Sequence, residues 1–168
     1  MIKGMKSYVR TILGENPEMK GFNDFEKGVI FMEKSRLDQP LPPREEFVVA
    51  LEFAKEGLDG LKEYSTECPS VIKNVAKLSI ELLEFQLEIL DNFPEEKNWT
   101  YRKSLEFTKS DEDLCDKMDF LTGKLYQMMP VYTEVCNKEM IKNAEREMRS
   151  REFLDGLKDI NEGEDPVN

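Results

Sequence analysis

The stretch that decides the fold is residues 71–93, VIKNVAKLSIELLEFQLEILDNF. Its apolar residues recur at three- and four-residue spacings, which is typical of an α-helix. On a wheel of about 100° per residue they form two faces. The first face holds Val71, Val75, Leu78, Leu82, Phe85 and Ile89, and the second holds Ile72, Ile80, Leu83, Leu87 and Leu90. A helix with two apolar faces must be covered on both sides, by its own chain or by another.

Two further stretches repeat the alternating four- and three-residue spacing of a heptad seam. The first seam is Phe47, Leu51, Ala54, Leu58 and Leu61, and the second is Leu114, Met118, Leu121, Leu125, Met128, Tyr132 and Val135. Pro130 interrupts the second seam, but the spacing stays in phase across it, so we expect one kinked helix. The sequence therefore predicts three long helices, over residues 43–66, 70–93 and 111–159.

Shorter elements complete the predicted fold. Apolar spacing predicts helices over residues 5–13 and 24–37, and a short helix within residues 94–110. Ser110 with Asp113 resembles a capping box at the start of the last long helix. Because no strand signal is present and the first two long helices are joined by about five residues, we expect an all-α, antiparallel helical bundle. Residues 1–160 are predicted to form one domain, followed by a disordered acidic tail over residues 161–168.

Composition narrows the class of partner. The 168 residues carry a net charge of −11, which disfavours nucleic acid and anionic lipid as partners. No apolar run of about 18 residues predicts a membrane span, and the N-terminal residues do not resemble a secretory signal. Three cysteines without CxxC spacing favour free thiols over disulfides. We therefore expect a cytoplasmic protein with neither a nucleic-acid nor a membrane partner.

The chain contains no histidine. This excludes Ser-His-Asp and Cys-His catalysis within one chain, the Glu-x-x-His motif of di-iron bundles and the HExxH motif of zinc proteases. The phosphate-binding motifs GxxxxGK[ST] and GxGxxG are also absent from the sequence. No catalytic residue and no cofactor are predicted.

Carboxylates are the remaining candidate metal ligands. Glu81, Glu84, Glu88 and Asp91 share one helical strip, and Glu88 and Asp91 are three residues apart. This fragment resembles the magnesium-binding helices of all-α nucleoside-triphosphate pyrophosphohydrolases of the MazG kind, and the resemblance covers only these four residues. It implies a magnesium-dependent pyrophosphohydrolase as an alternative function, with Glu84, Glu88 and Asp91 as ligands.

The preferred hypothesis is a non-enzymatic interaction or assembly module, whose partner is a second copy or another protein. The second apolar face of residues 71–93 needs a cover, and the apolar phase changes after Cys136. We therefore expect a homodimer with Leu83, Leu87, Met140 and Met148 at its interface. A second alternative is a small-molecule sensor, with a pocket formed by the residues Trp99, Tyr101, Phe107 and Met128.

Overall fold

The computed structural model describes residues 6–64 and 70–162. These ranges hold six helices and no strand, so the predicted all-α class is confirmed. The helices are α1 (Tyr8–Ile12), α2 (Asp24–Arg36), α3 (Arg44–Tyr64), α4 (Ser70–Asn92), α5 (Tyr101–Ser110) and α6 (Glu112–Glu162). No helix within the described ranges is long and apolar enough to cross a bilayer.

The start of α6 differs from the prediction. The Asp111 carboxylate, not Ser110, caps the helix, because its Oδ1 atom accepts the backbone N–H groups of Asp113 at 3.0 Å and Leu114 at 3.2 Å. The Ser110 hydroxyl donates instead to the carbonyl oxygen of Phe107, at 2.6 Å. The predicted capping box at Ser110 is therefore wrong. The carboxylate immediately before the first helical residue reaches the free N–H groups of that turn.

The chain divides into two compact units, unit 1 (Met1–Met129) and unit 2 (Pro130–Asn168). Helix α6 contributes residues to both units and contains Pro130. Of the predicted tail, residues 161 and 162 belong to α6, and residues 163–168 lie outside the described part of the chain. The bend at Pro130 and the single domain over residues 1–160 stay predictions.

Unit 1 contains two apolar clusters. The first joins α1 and α2, and its buried members are Tyr8, Ile12, Phe22, Ile30 and Leu37. The second joins α4 and α6, and its buried members are Leu78, Phe85, Ile89 and Leu121. The three α4 residues of the second cluster all come from the first apolar face of that helix, so this face packs within the chain.

Helix α3 packs along α4. Lys55 Nζ lies 3.2 Å from Glu84 Oε1, and Arg44 Nε donates to Asp91 Oδ1 at 2.7 Å. Glu84 and Asp91 are three and four residues from Leu87, and such spacings place residues on the same side of a helix. Helix α3 therefore runs beside the part of the second apolar face of α4 that holds Leu87. The cover of this face thus comes at least in part from the same chain.

Buried polar contacts fix α1 against α2 and α6. The Glu26 carboxylate forms a capping box with Asn23 and accepts the Tyr8 hydroxyl at 2.8 Å. The buried Asp119 carboxylate accepts the backbone N–H of Val9 at 3.0 Å, which satisfies a donor at the α1 N-terminus. Gly123 lies against the Tyr8 ring, since a Cβ atom built there would make a van der Waals contact of 3.4 Å with Tyr8 Cε2. Hydrogen bonds and shape together specify the position of α1.

Candidate functional site

The acidic strip of α4 is paired with cations from neighbouring helices. Asp91 receives two hydrogen bonds from Arg44, at 2.7 and 3.1 Å, and these bonds hold the pKa of Asp91 below its usual value. Glu88 Oε2 lies 2.9 Å from the Nζ atom of Lys117 on α6. With the Lys55–Glu84 pair already described, each predicted magnesium ligand has an ammonium or guanidinium partner.

The described residues contain no cluster of three or more Cys, Asp or Glu side chains placed to hold a metal ion. Glu84 and Asp91 form ion pairs with cations on α3, and Glu88 forms an ion pair with a cation on α6. Charge neutralisation between helices therefore accounts for Glu84, Glu88 and Asp91 without a metal ion. The magnesium alternative stays a prediction that this arrangement does not favour.

Leu83 and Leu87, predicted at a homodimer interface, are half-buried in the single chain. Because they are half-buried without a second copy, the chain itself covers part of each side chain. A role in dimerisation is not needed to explain their apolar character and stays a prediction.

A groove of about 700 Å³ lies in unit 1, between the segment before α3 and the segment before α5. Its apolar lining consists of Pro40, Leu41, Pro42, Pro43, Leu90, Pro94 and Trp99. Its charged and other polar lining consists of Arg44, Asp91, Glu96, Lys97, Asn98 and Thr100. The volume is in the range of small-molecule sites, about 300–1,000 Å³.

The two segments that form the groove are joined by backbone hydrogen bonds. Leu41 N–H donates to the Trp99 carbonyl oxygen at 3.0 Å, and Tyr101 N–H donates to that of Gln39 at 3.2 Å. Pro40 and Thr100 form an isolated antiparallel bridge between them. The groove is therefore set by main-chain pairing and does not depend on side chains alone.

Three of the four residues of the predicted pocket, Trp99, Phe107 and Met128, lie together in unit 1. Trp99 lines the groove, and Phe107 lies behind it with the ring centroids 5.2 Å apart. Tyr101 accepts a hydrogen bond from Arg36 at 2.7 Å, and the Arg36 guanidinium lies over its ring. Trp99, Phe107 and Met128 all pack against the apolar cluster of α4 and α6. Within this set, Trp99 is the residue that also lines the groove.

Sequence reasoning misses most of the groove. From the sequence, the proline-rich run of residues 40–43 is only a stiff connector, and neither Lys97 nor Arg44 is a candidate site residue. The prolines are a usable signal, because they fix an extended backbone that cannot join a helix. The pairing of that backbone with Trp99, far along the chain, has no local signal.

Unit 2 presents a continuous exposed helical surface. Every residue from 140 to 158 is exposed. Six of these are large and apolar, with 42–68% of their surface exposed, namely Met140, Ile141, Met148, Phe153, Leu154 and Leu157. Both Met140 and Met148, predicted at an interface, therefore have side chains accessible to a partner.

These side chains form two patches. Patch A consists of Met140, Ile141, Ala144 and Met148, and patch B consists of Phe153, Leu154 and Leu157. At about 100° and 1.5 Å per residue, the patch centres lie roughly 150° apart around the helix and roughly 17 Å apart along it. One straight partner helix can cover only one of them, since they face nearly opposite sides.

The chain was compared with protein families, curated proteins and solved structures. No protein-family model, no curated protein and no solved structure matches the chain. The function is therefore argued from the residues themselves.

Proposed function

We propose that this chain is a non-enzymatic interaction module that forms a homodimer through patch A of unit 2. The observation that carries the proposal is the run of 19 consecutive exposed helical residues, 140–158, with six large apolar side chains among them. Proteins rarely leave such a surface uncovered, and exposed apolar patches commonly mark interaction sites.

Helix energetics support a partner for this segment. Most of the stability of a protein helix comes from tertiary packing of its apolar face and not from intrinsic helix propensity. Complete burial of one large aliphatic or methionine side chain contributes about 1.5–3 kcal/mol. Covering Met140, Ile141 and Met148 in patch A would therefore stabilise the helix and drive association together.

Charge distribution supports a second copy as that partner. Residues 140–158 contain five Lys or Arg and four Asp or Glu, a net charge of +1, so the rest of the chain carries −11 − 1 = −12. Two copies that approach through this nearly neutral segment avoid the repulsion that their other surfaces would impose. A strongly basic partner would find its electrostatic complement elsewhere on the chain.

The proposal includes a finer fold for the chain. Helices α3, α4 and the unit 1 part of α6 form an antiparallel bundle, and the shorter helices complete its wall. Pro130 bends α6, because proline cannot donate to the Tyr126 carbonyl and crowds it. The lack of CxxC spacing in the sequence and the acidic composition suit a cytoplasmic setting for this assembly.

Multi-angle light scattering on a sizing column tests the dimer. We expect twice the chain mass at tens of micromolar, and the monomer mass for Met148→Glu, which places a carboxylate in patch A. Ser150→Glu is the matched control, since it adds the same charge at an exposed position about 160° from Met148 around the helix, and no patch A residue lies three or four positions from it. It should leave the mass unchanged.

A monomer mass for the unaltered protein across that concentration range would reject the homodimer. Dissociation by both variants alike would show that added charge, and not loss of the apolar contact, separates the copies. Far-ultraviolet circular dichroism of each variant confirms that the helices remain formed.

A further inference from the structure

We propose that the groove at Trp99 binds a small amphiphile with an apolar body and a single carboxylate, such as a medium-chain fatty acid. This binding is separate from the proposed dimer, because the groove belongs to unit 1 and patch A belongs to unit 2. Three features of the groove support this ligand: backbone hydrogen bonds that join its two sides, an apolar lining, and ion pairs that neutralise its carboxylates.

The walls are held in place before any ligand arrives. The two main-chain hydrogen bonds between residues 39–41 and 99–101 join the two sides of the groove. Arg102 adds a further link, since its N–H donates to the Leu37 carbonyl at 2.8 Å and its Nε atom donates to the Asp38 carboxylate at 2.9 Å. A preformed groove spares a ligand the entropic cost of ordering the loops.

The apolar wall suits an aliphatic body. Leu41, Leu90 and Pro94 line the groove together with Trp99. The Trp99 ring packs edge-on against Phe107, and the Phe107 ring stacks on that of Phe93 with the centroids 4.1 Å apart. The prolines offer no backbone N–H group, so this wall has few donors and favours hydrocarbon.

The charges of the groove select an anion. Asp91 is neutralised by Arg44, and Glu96 by Lys103, whose Nζ atom lies 2.9 Å from Glu96 Oε1. The Lys103 ammonium and the Asn98 N–H hold the pKa of Glu96 below its usual value, so this carboxylate stays charged and occupied. Lys97 is exposed, and no carboxylate of the described residues forms an ion pair with it.

One ammonium defines the head group. A single unpaired lysine matches a monoanion, whereas a phosphate ester needs several cations or a nest of backbone N–H groups. A cationic ligand would find both lining carboxylates already paired. An apolar monocarboxylate therefore satisfies the wall and the charge together.

The single tryptophan makes the test specific. Trp99 gives the only indole N–H signal in a ¹⁵N-resolved spectrum of the whole chain, so its shift reports on the groove. Titration with octanoate is compared with titration by octanol, which has the same hydrocarbon length and no charge. We expect saturable shifts with both and about threefold to fivefold tighter binding of octanoate, as an exposed ion pair allows.

Matched variants separate the two arguments. Lys97→Gln should lower the affinity for octanoate to that for octanol, and Lys77→Gln, an exposed lysine of α4 away from the groove, should leave it unchanged. Leu41→Ser should weaken both ligands. No shift of the indole signal, equal affinities in the unaltered protein, or a preference that survives Lys97→Gln would overturn the proposal. None of these results affects the light-scattering mass, so failure here is distinguishable from failure of the dimer.

Discussion

Replacing Phe85 by alanine tests the central claim about α4, that its first apolar face forms the core of unit 1. Phe85 is 3% exposed and packs with Leu78, Ile89 and Leu121. Deletion of a buried phenylalanine ring costs about 3–5 kcal/mol, from lost transfer free energy and the remaining cavity. For a chain of this size, each kcal/mol lowers the melting temperature by about 2–4 °C, so we expect a decrease of roughly 6–20 °C.

The matched control is Phe31→Ala, because Phe31 is 70% exposed and undergoes the same chemical change. Its effect should stay within about 0.5 kcal/mol, as for other surface substitutions. Urea unfolding followed by circular dichroism measures both variants, and Leu121→Ala extends the series if Phe85→Ala does not fold. Equal losses for Phe85→Ala and Phe31→Ala would refute the assignment of the core.

Three further predictions concern two glycines of the backbone and the buried carboxylates of Asp119 and Glu26. Gly57→Ala should raise the unfolding free energy by about 0.5–1 kcal/mol, since Gly57 lies in α3 and the added methyl group would extend into open space. Gly14→Ala should lower the unfolding free energy, because Gly14 has a φ of +97°, which alanine rarely adopts. Burial raises the pKa of Asp119, so its contribution to stability grows as pH falls through the raised pKa and is lost as pH rises through it. The unfolding free energy of the unaltered protein, measured relative to Asp119→Asn, should therefore increase as pH falls. Burial alone would raise the pKa of Glu26, but hydrogen bonds from the Asn23 N–H and the Tyr8 hydroxyl lower it. The unfolding free energy of the unaltered protein, measured relative to Glu26→Gln, should therefore decrease as pH falls. The same direction of pH dependence for Asp119 and Glu26 would contradict this prediction.

The helices could be predicted from local sequence signals. The apolar spacing of residues 71–93 placed α4 within one residue of its bounds, and its first face supplies three buried members of the core. Pro94 fixed the end of α4, because proline cannot continue a preceding helix. Among the groove residues the sequence identified Trp99, and within patch A it identified the exposed residues Met140 and Met148.

The sequence did not predict the contacts that depend on distant residues. Asp119 caps α1 through Val9, which is 110 positions away, and no pattern in either helix marks that pairing. The cation partners of Glu84, Glu88 and Asp91 come from two other helices, so their role as paired charges could not be told from a metal site by spacing.

By itself, then, the sequence determined the all-α class, the positions of the helices and the exclusion of histidine-dependent chemistry. These depend on residue identity and on periodicity within a few turns, which the chain carries locally. Only the tertiary structure decided that α3 lies beside the second face of α4, that residues 39–41 pair with 99–101 to form a groove, and that residues 140–158 are exposed. An apolar face specifies that it must be covered, but the hydrophobic effect is non-directional, so the identity of the cover is set by the packing of the whole chain.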